Sequence, residues 1–156
     1  MTPLRTTALA ILLLGVSSVP AHAEFASLLG YEKIVRGAAA LERGDVDRAV
    51  TLTETGVRQA RSKFLRAAGH NNLCVAYTRM GEMDQAVAAC QASLDADPRF
   101  WQAYVNLGNA YYATGDAAQA YDAYQKAAQI RPEDRKVRAN LRRVGRTIAG
   151  DISPAR

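Results

Sequence analysis

The fold of this chain is decided by two consecutive stretches, AAGHNNLCVAYTRMGEMDQAVAACQASLDADPRF at residues 67–100 and WQAYVNLGNAYYATGDAAQAYDAYQKAAQIRPED at residues 101–134. They align from end to end without a gap, so the chain repeats with a period of 34 residues. The alignment pairs Leu73 with Leu107, Cys74 with Gly108, Tyr77 with Tyr111, Gly81 with Gly115, Ala86 with Ala120, Cys90 with Tyr124 and Pro98 with Pro132. A period of this length is typical of stacked helical units.

A weaker copy of the repeat lies upstream. The segment AALERGDVDRAV at residues 39–50 matches AYTRMGEMDQAV at residues 76–87 through its glycine, an acidic residue and an alanine. Gly44 precedes Gly81 by 37 residues, so this first unit carries three extra residues, which we place around residues 58–63. Its other columns hold Lys33, Arg36 and Ala40 instead of aromatic residues or leucine, which makes it a degenerate copy.

The complete units resemble the tetratricopeptide repeat, in which an aromatic residue, Leu-Gly and Tyr mark a first helix, and Ala, an aromatic residue and Pro mark a second. The last unit supplies Tyr104, Leu107, Gly108, Tyr111, Ala120, Tyr124 and Pro132. The middle unit keeps Leu73, Tyr77, Ala86 and Pro98, and departs at His70, Cys74 and Cys90. The resemblance covers residues 30–134 and implies an all-α solenoid of stacked antiparallel helical hairpins.

The residues themselves predict the same architecture. Apolar and aromatic side chains recur at three- and four-residue steps, which is the pattern of one buried helix face. Gly81 and Gly115 lie where a chain leaves a helix, and Asp84 and Asp116 are placed to cap the helix that follows. We predict about seven helices in one domain over residues 24–149, with units at residues 30–66, 67–100 and 101–134.

A terminal helix is predicted at residues 133–149. Val137, Leu141, Val144 and Ile148 follow one another at three- and four-residue steps, and Glu133 and Asp134 stand at the end where the helix dipole favours anions. This segment is expected to close the stack as a capping helix, with a frayed tail at residues 150–156.

The N-terminus has the layout of a secretory signal peptide. A cation at Arg5 precedes an apolar run over residues 8–16, and the small-residue triplet Ala21-His22-Ala23 follows. The apolar run is too short to cross a bilayer. We expect cleavage after Ala23 and a periplasmic or secreted mature chain without a lipid anchor, because the residue directly after the cleavage point is Glu24 and not a cysteine.

The only two cysteines, Cys74 and Cys90, are placed symmetrically about the turn at Gly81 and Glu82. In an antiparallel hairpin they would lie at the same height on facing helices, and an oxidising compartment favours a structural disulfide. The alternatives are two free, buried thiols and a metal or catalytic site. Zinc would need two further ligands, and His70, the only nearby histidine, is interpreted as a packed substitute for Tyr104.

In tetratricopeptide repeats the first helices line a concave groove that holds peptides or partner helices. The resemblance implies the same role here for those positions of each first helix that do not belong to the buried columns. The candidate groove residues are Asn71, Asn72, Arg79, Gln102, Asn106, Asn109 and Tyr112. Amides offer both donors and acceptors to a ligand backbone, and Tyr112 would act as an aromatic anchor. The alternative for each polar residue is that it simply faces water.

Two further features of the groove follow from its composition. Arg79 is its only basic residue among the middle and last units, so a carboxylate clamp is not expected. The first unit contributes an apolar set, namely Tyr31, Ile34, Val35, Ala38 and Leu41. This end of the groove either takes an apolar partner or is covered by residues 24–29.

Charge is concentrated in the C-terminal segment. The chain has a formal net charge of +5, and residues 131–146 contain seven Lys and Arg residues against two acidic ones. Arg135, Arg138, Arg142 and Arg146 form one stripe, which we call the basic face. The stripe is either the solvated outer side of a cap or a contact for anionic lipid, a cell-wall polymer or an acidic protein. An exported chain without aromatic residues interleaved in its basic patch is not expected to bind nucleic acid.

We predict a non-catalytic protein interaction module with no cofactor and no metal. Binding through the basic face is the alternative function, and association with a second copy of the chain is a further hypothesis, since a short array leaves apolar end faces. An enzyme is not expected, because we find no Ser-His-Asp set, no glycine-rich phosphate loop and no paired carboxylates that stand apart from helix caps.

Overall fold

The computed structural model describes residues 21–150, with side chains from residue 28 onward. Seven α-helices fill this range and it contains no strand, which confirms the predicted all-α architecture. The helices are α1 (Ala21–Arg43), α2 (Val46–Gln59), α3 (Lys63–Met80), α4 (Met83–Ala96), α5 (Trp101–Ala113), α6 (Ala117–Ile130) and α7 (Arg135–Ile148). Among these described helices, none combines the length and the apolar character that crossing a membrane requires.

The helices pair into three hairpins, α1 with α2, α3 with α4, and α5 with α6. Gly44, Gly81 and Gly115 turn the chain between the two helices of each hairpin, with φ values of 82°, 79° and 87°. This left-handed conformation is cheap for glycine and strained for other residues, so all three turns depend on it.

Helix capping differs from one hairpin to the next. Asp45 and Asp116 accept hydrogen bonds from backbone amides in the first turns of α2 and α6, as predicted for Asp116. The prediction for Asp84 is wrong, because Glu82 occupies the equivalent position before α4 and Asp84 lies inside the first turn. Glu82 makes no side-chain cap, so this helix begins without one.

Successive hairpins stack through α2 on α3, α4 on α5 and α6 on α7. The largest buried cluster lies between the middle and last hairpins, and its members include Leu73, Leu94, Phe100 and Leu107. Each hairpin therefore buries its apolar side against a neighbour, as expected of a repeat array.

The three extra residues of the first unit lengthen a helix and do not lengthen a loop. α3 begins at Lys63, four residues before the predicted start of its unit, and only residues 60–62 separate it from α2. The added turn carries Phe64, which is largely exposed and whose ring centroid lies 5.9 Å from that of Phe100.

The two ends of the chain differ from the expectations in detail. Residues 24–29 continue α1 as helix, so they do not fold back over the groove. Residues 1–20 of the predicted signal peptide and residues 151–156 of the predicted tail lie outside the described range.

α7 packs on α6 as the predicted cap. Asp134 accepts hydrogen bonds from the backbone amides of Lys136 and Val137 at its beginning. Val137 and Val144 are fully buried, but Ile148, the last residue of the helix, is exposed.

Candidate functional site

One contact column joins the two helices of every hairpin, and each hairpin fills it differently. The column is occupied by Gly37 and Thr53 in the first hairpin, by Cys74 and Cys90 in the middle one, and by Gly108 and Tyr124 in the last one. A Cβ atom placed on Gly108 would lie 2.6 Å from Cε1 of Tyr124, so glycine is required for the ring to fit. Residues in this column therefore touch in the first and last hairpins too, since a Cβ on Gly37 would also meet the Thr53 side chain.

In the middle hairpin the same contact is a disulfide between Cys74 and Cys90. Their Cα atoms lie 5.1 Å apart, and both side chains are fully buried. Both thiols are used in the bridge. Over the described residues, no group of three or more His, Cys, Asp and Glu side chains is arranged to hold a metal ion.

The first helices of the units form a continuous surface, which we call the groove face. α1 packs on α3 and α3 packs on α5. A guanidinium nitrogen of Arg79 on α3 donates to the carbonyl oxygen of Leu41 on α1. α7 extends the surface beyond α5, since the hydroxyls of Tyr112 and Thr147 lie 3.2 Å apart.

The predicted amides lie on this surface, but several of them bond to the protein itself. Asn106 Nδ2 donates to Asn71 Oδ1 at 2.8 Å, which joins α5 to α3. Asn109 Oδ1 accepts a hydrogen bond of 2.7 Å from the Tyr124 hydroxyl. Each amide has spare donors or acceptors, so the paired amides are held in fixed orientations while keeping capacity for a ligand.

The expectation that Tyr112 is an exposed aromatic anchor is wrong. Only 6% of its surface is exposed, and the Arg143 guanidinium lies 4.5 Å from the ring centroid. The physical reason is that α7 continues the 34-residue register, which places Arg143 and Thr147 directly against Tyr112. Tyr112 therefore fixes the capping helix to α5.

Asn72 and Gln102 remain half-buried, without a side-chain hydrogen bond to any described residue. The same register adds a residue that the sequence analysis missed. Asn140 on α7 follows Asn106 by 34 residues, as Asn106 follows Asn72. The repeat period itself is the signal for Asn140, because the 34-residue register continues past Pro132 into the capping helix.

The α1 end of the groove face is apolar and open. Leu28, Tyr31 and Val35 are 62%, 55% and 47% exposed and recur at helical spacing. Two other residues expected in the groove, Ile34 and Leu41, are buried in the core instead. Burying three exposed apolar side chains on one helix face would be favourable for any partner that covers them.

The pKa values of two side chains on α3, His70 and Tyr77, are shifted by burial. Burial lowers the pKa of His70, the neighbouring Arg66 lowers it further, and Asp95 partly opposes the change. Burial also raises the pKa of Tyr77, and Glu54, which accepts the Tyr77 hydroxyl at 3.2 Å, adds to that rise. These shifts belong to packed repeat positions on the inner columns, and the groove face carries neither group.

A second concave feature lies between α4 and α6, on the second helices of the hairpins. It is a cleft of about 440 Å³ floored by Tyr104, Leu107 and Tyr111, with Asp95 and Asp122 on its walls. The Lys126 ammonium lies over the Tyr104 ring at 5.9 Å, which covers part of the floor. The helical spacing predicts these tyrosines on a buried helix face, and no feature of the sequence predicts the cleft.

Known proteins agree with this architecture. A family model described as "Tetratricopeptide repeat" matches residues 34–98 and 72–135, which together span most of the chain. The small glutamine-rich tetratricopeptide repeat-containing protein 2 of Mycosarcoma maydis is 30% identical over 71 residues, covering 46% of this chain and 20% of that protein. The chain thus spans about a fifth of that relative's length.

Solved structures show the same fold. The first TPR of Spaghetti (RPAP3) bound to the HSP90 peptide SRMEEVD matches with a TM-score of 0.72 and 20% identity, covering 79% of this chain and 95% of that one. The TPR2B domain of yeast Sti1 in its complex with pHsp70 matches with a TM-score of 0.70 and 20% identity, covering 78% of this chain and 99% of that one. With the family model, the repeat register and the three stacked hairpins in agreement, this chain belongs to the tetratricopeptide repeat family.

Proposed function

We propose that this chain is a non-catalytic interaction module of the periplasm that binds a peptide or protein segment on its groove face. The observation that carries the proposal is the open apolar stripe of Leu28, Tyr31 and Val35, because exposed apolar side chains grouped on one face mark an interaction site. The fold supports the same conclusion, since both structural neighbours named above are described with a bound peptide or partner.

The groove face offers a graded surface to a partner. Its α1 end is apolar, its centre presents the oriented amides of Asn71 and Asn106 beside Asn72, and its α7 end carries the Arg143 guanidinium. A segment with apolar residues at one end would fit the α1 end of the groove face, and its polar backbone groups would bond to the amides at the centre. The apolar stripe supplies affinity and the amides fix register.

Chemical crosslinking of the tagged chain in its native cells tests the proposal. The variant Tyr31→Ser with Val35→Ser removes exposed side chains only, so we expect it to stay folded and to lose crosslinked partners. Met80→Ser, an exposed apolar position at the end of α3, is the matched control and is expected to keep them. Equal partner lists for both variants would contradict a function at this stripe.

The compartment is tested separately. We expect intact mass measurement of the protein recovered from cells to give a chain that begins at Glu24. A mass that still includes residues 1–23, together with recovery from the cytoplasm, would overturn the periplasmic part of the proposal and leave the groove part standing.

A further inference from the structure

α7 has the largest net charge of the seven described helices. The helix contains six Arg and Lys residues and no Asp or Glu. All six are exposed. Over the described residues, only Arg138 among them has a carboxylate within 4.0 Å, that of Glu133 at 3.6 Å. The charge of this helix is therefore largely uncompensated by the protein.

The basic face has a defined geometry. Three of its four arginines, Arg135, Arg142 and Arg146, follow one another at seven- and four-residue steps, on the side of the helix opposite the buried Val137 and Val144. At a rise of about 1.5 Å per residue, the row extends for about 16 Å. Ala139 and Gly145 lie between the arginines, and shallow depressions line the surface there. The guanidinium groups therefore project beyond the small residues that lie between them.

The repeat register explains why this face is open. Arg142 stands 34 residues after Gly108, in the column through which each of the three hairpins joins its two helices. Up to residue 150 no second helix follows α7, so the column faces solvent. A large charged residue here would prevent a further hairpin partner from packing closely. Within the described residues, the face is therefore the last surface of the stack.

The shape of this face favours a flat partner over a peptide. Peptides and small ligands bind in deep concave sites, whereas the outer side of this single helix is convex apart from the shallow, open depressions between the arginines. Arginine suits phosphate because its guanidinium can donate two parallel hydrogen bonds. No bulky apolar side chain lies between the arginines, so nothing would insert below a headgroup layer. We infer that the basic face docks this chain peripherally onto an anionic phospholipid surface.

The docked chain would keep its groove face available. Arg143 and Thr147, through which α7 contacts Tyr112, lie beside the basic face and are not part of it. The inference is independent of the proposed groove function, because it uses residues on a different side of α7.

Vesicle co-sedimentation of the full chain tests the inference, with vesicles of phosphatidylglycerol and phosphatidylcholine compared with pure phosphatidylcholine. The test variant is Arg135→Glu with Arg142→Glu and Arg146→Glu. The matched control is Arg48→Glu with Arg61→Glu and Arg99→Glu, three exposed arginines on other elements that give the same change of net charge. Circular dichroism checks that both variants remain folded.

We expect the natural chain to bind the anionic vesicles at about 0.05 M NaCl and to be released at about 0.5 M, because salt screens such contacts. Each basic residue near an anionic membrane is worth about fivefold in binding, so the test variant is expected to bind at least about 100-fold more weakly. The control is expected to change binding only slightly. Equal losses in both variants would show an effect of net charge alone and overturn the inference. Binding to a polyglutamate probe without binding to anionic vesicles would overturn it in favour of an acidic protein partner.

Discussion

The middle and last hairpins meet the same structural requirement by different means. In the last hairpin the fully buried Tyr124 fills the space above Gly108, and its hydroxyl bonds to Asn109. In the middle hairpin two small sulfur-containing side chains fill that space and form a covalent bond. The contact column can thus be satisfied by side-chain volume or by a cross-link, but only the tyrosine also connects the core to a groove-face amide.

The largest effect is expected from Tyr124→Ala. Removing a buried aromatic ring leaves a cavity that costs about 3–5 kcal/mol in the free energy of unfolding. The variant also leaves Asn109 without its donor, so the groove face loosens as well. Urea unfolding followed by circular dichroism measures the change. Tyr121→Ala, a half-buried tyrosine on the same helix, is the control and is expected to cost clearly less. Equal losses in the free energy of unfolding for both variants would show that the contact column contributes no more to stability than other tyrosine positions on α6.

The cross-link is tested by Cys74→Ala with Cys90→Ala. The bridge closes a segment with a sequence separation of 16, and loss of a bridge of this size is expected to cost about 3 kcal/mol. A reductant should lower the unfolding midpoint of the natural chain and leave that of the variant unchanged. Natural chain that unfolds at the same midpoint with and without reductant would argue against a stabilising bridge.

The first hairpin offers a smaller test of the same column. The Thr53 hydroxyl is buried and has no hydrogen-bond partner among the described residues. Thr53→Val keeps the shape and removes the unsatisfied group, so it is expected to stabilise the chain by about 1 kcal/mol. Thr51→Val is the control, since its exposed hydroxyl donates to the Asp47 carbonyl oxygen. Destabilisation by Thr53→Val would mean that the hydroxyl has a partner.

The smallest effect concerns His70, which stands where the last hairpin has Tyr104. Its pKa is lowered in the folded chain, chiefly by burial and then by Arg66. The unfolded chain therefore binds a proton more readily, and stability is expected to fall as the pH drops from about 6.5 through the lowered pKa. Unfolding midpoints between about pH 7.5 and about pH 5.5 would show this slope, and His70→Tyr is expected to remove it. If the unfolding midpoint of the variant depends on pH as steeply as that of the natural chain, the pH dependence comes from groups other than His70.

Local sequence signals predicted much of the fold. The 34-residue period, the glycines after α3 and α5 and the spacing of the two cysteines each report on contacts within one unit or between adjacent units. The lengthening of α3 back to Lys63 was not predicted, because three inserted residues can lengthen either a loop or a helix. The contact between Phe64 and Phe100 accompanies the longer helix.

The groove face was harder to predict for a physical reason. Whether a first-helix residue is open depends on the element that follows it in the stack, so Tyr112 could not be assigned without the register of α7. The spacing predicts which amides lie on the first helices, but the hydrogen bond between Asn106 and Asn71 depends on side-chain orientations that spacing does not specify. Tyr31 is exposed and Ile34 is buried, although they lie only three positions apart on α1. The first unit matches the repeat pattern too weakly for an alignment to predict which of the two faces the core.

The position of the bridged hairpin sets the order in which the array comes apart. Each hairpin touches only its neighbours, and the cross-linked one lies between two that have none. Opening is therefore expected to start at either end and to reach residues 63–96 last, so that amide protons there exchange most slowly. A chain frayed at its ends would retain a covalently closed template on which both flanking hairpins can re-form.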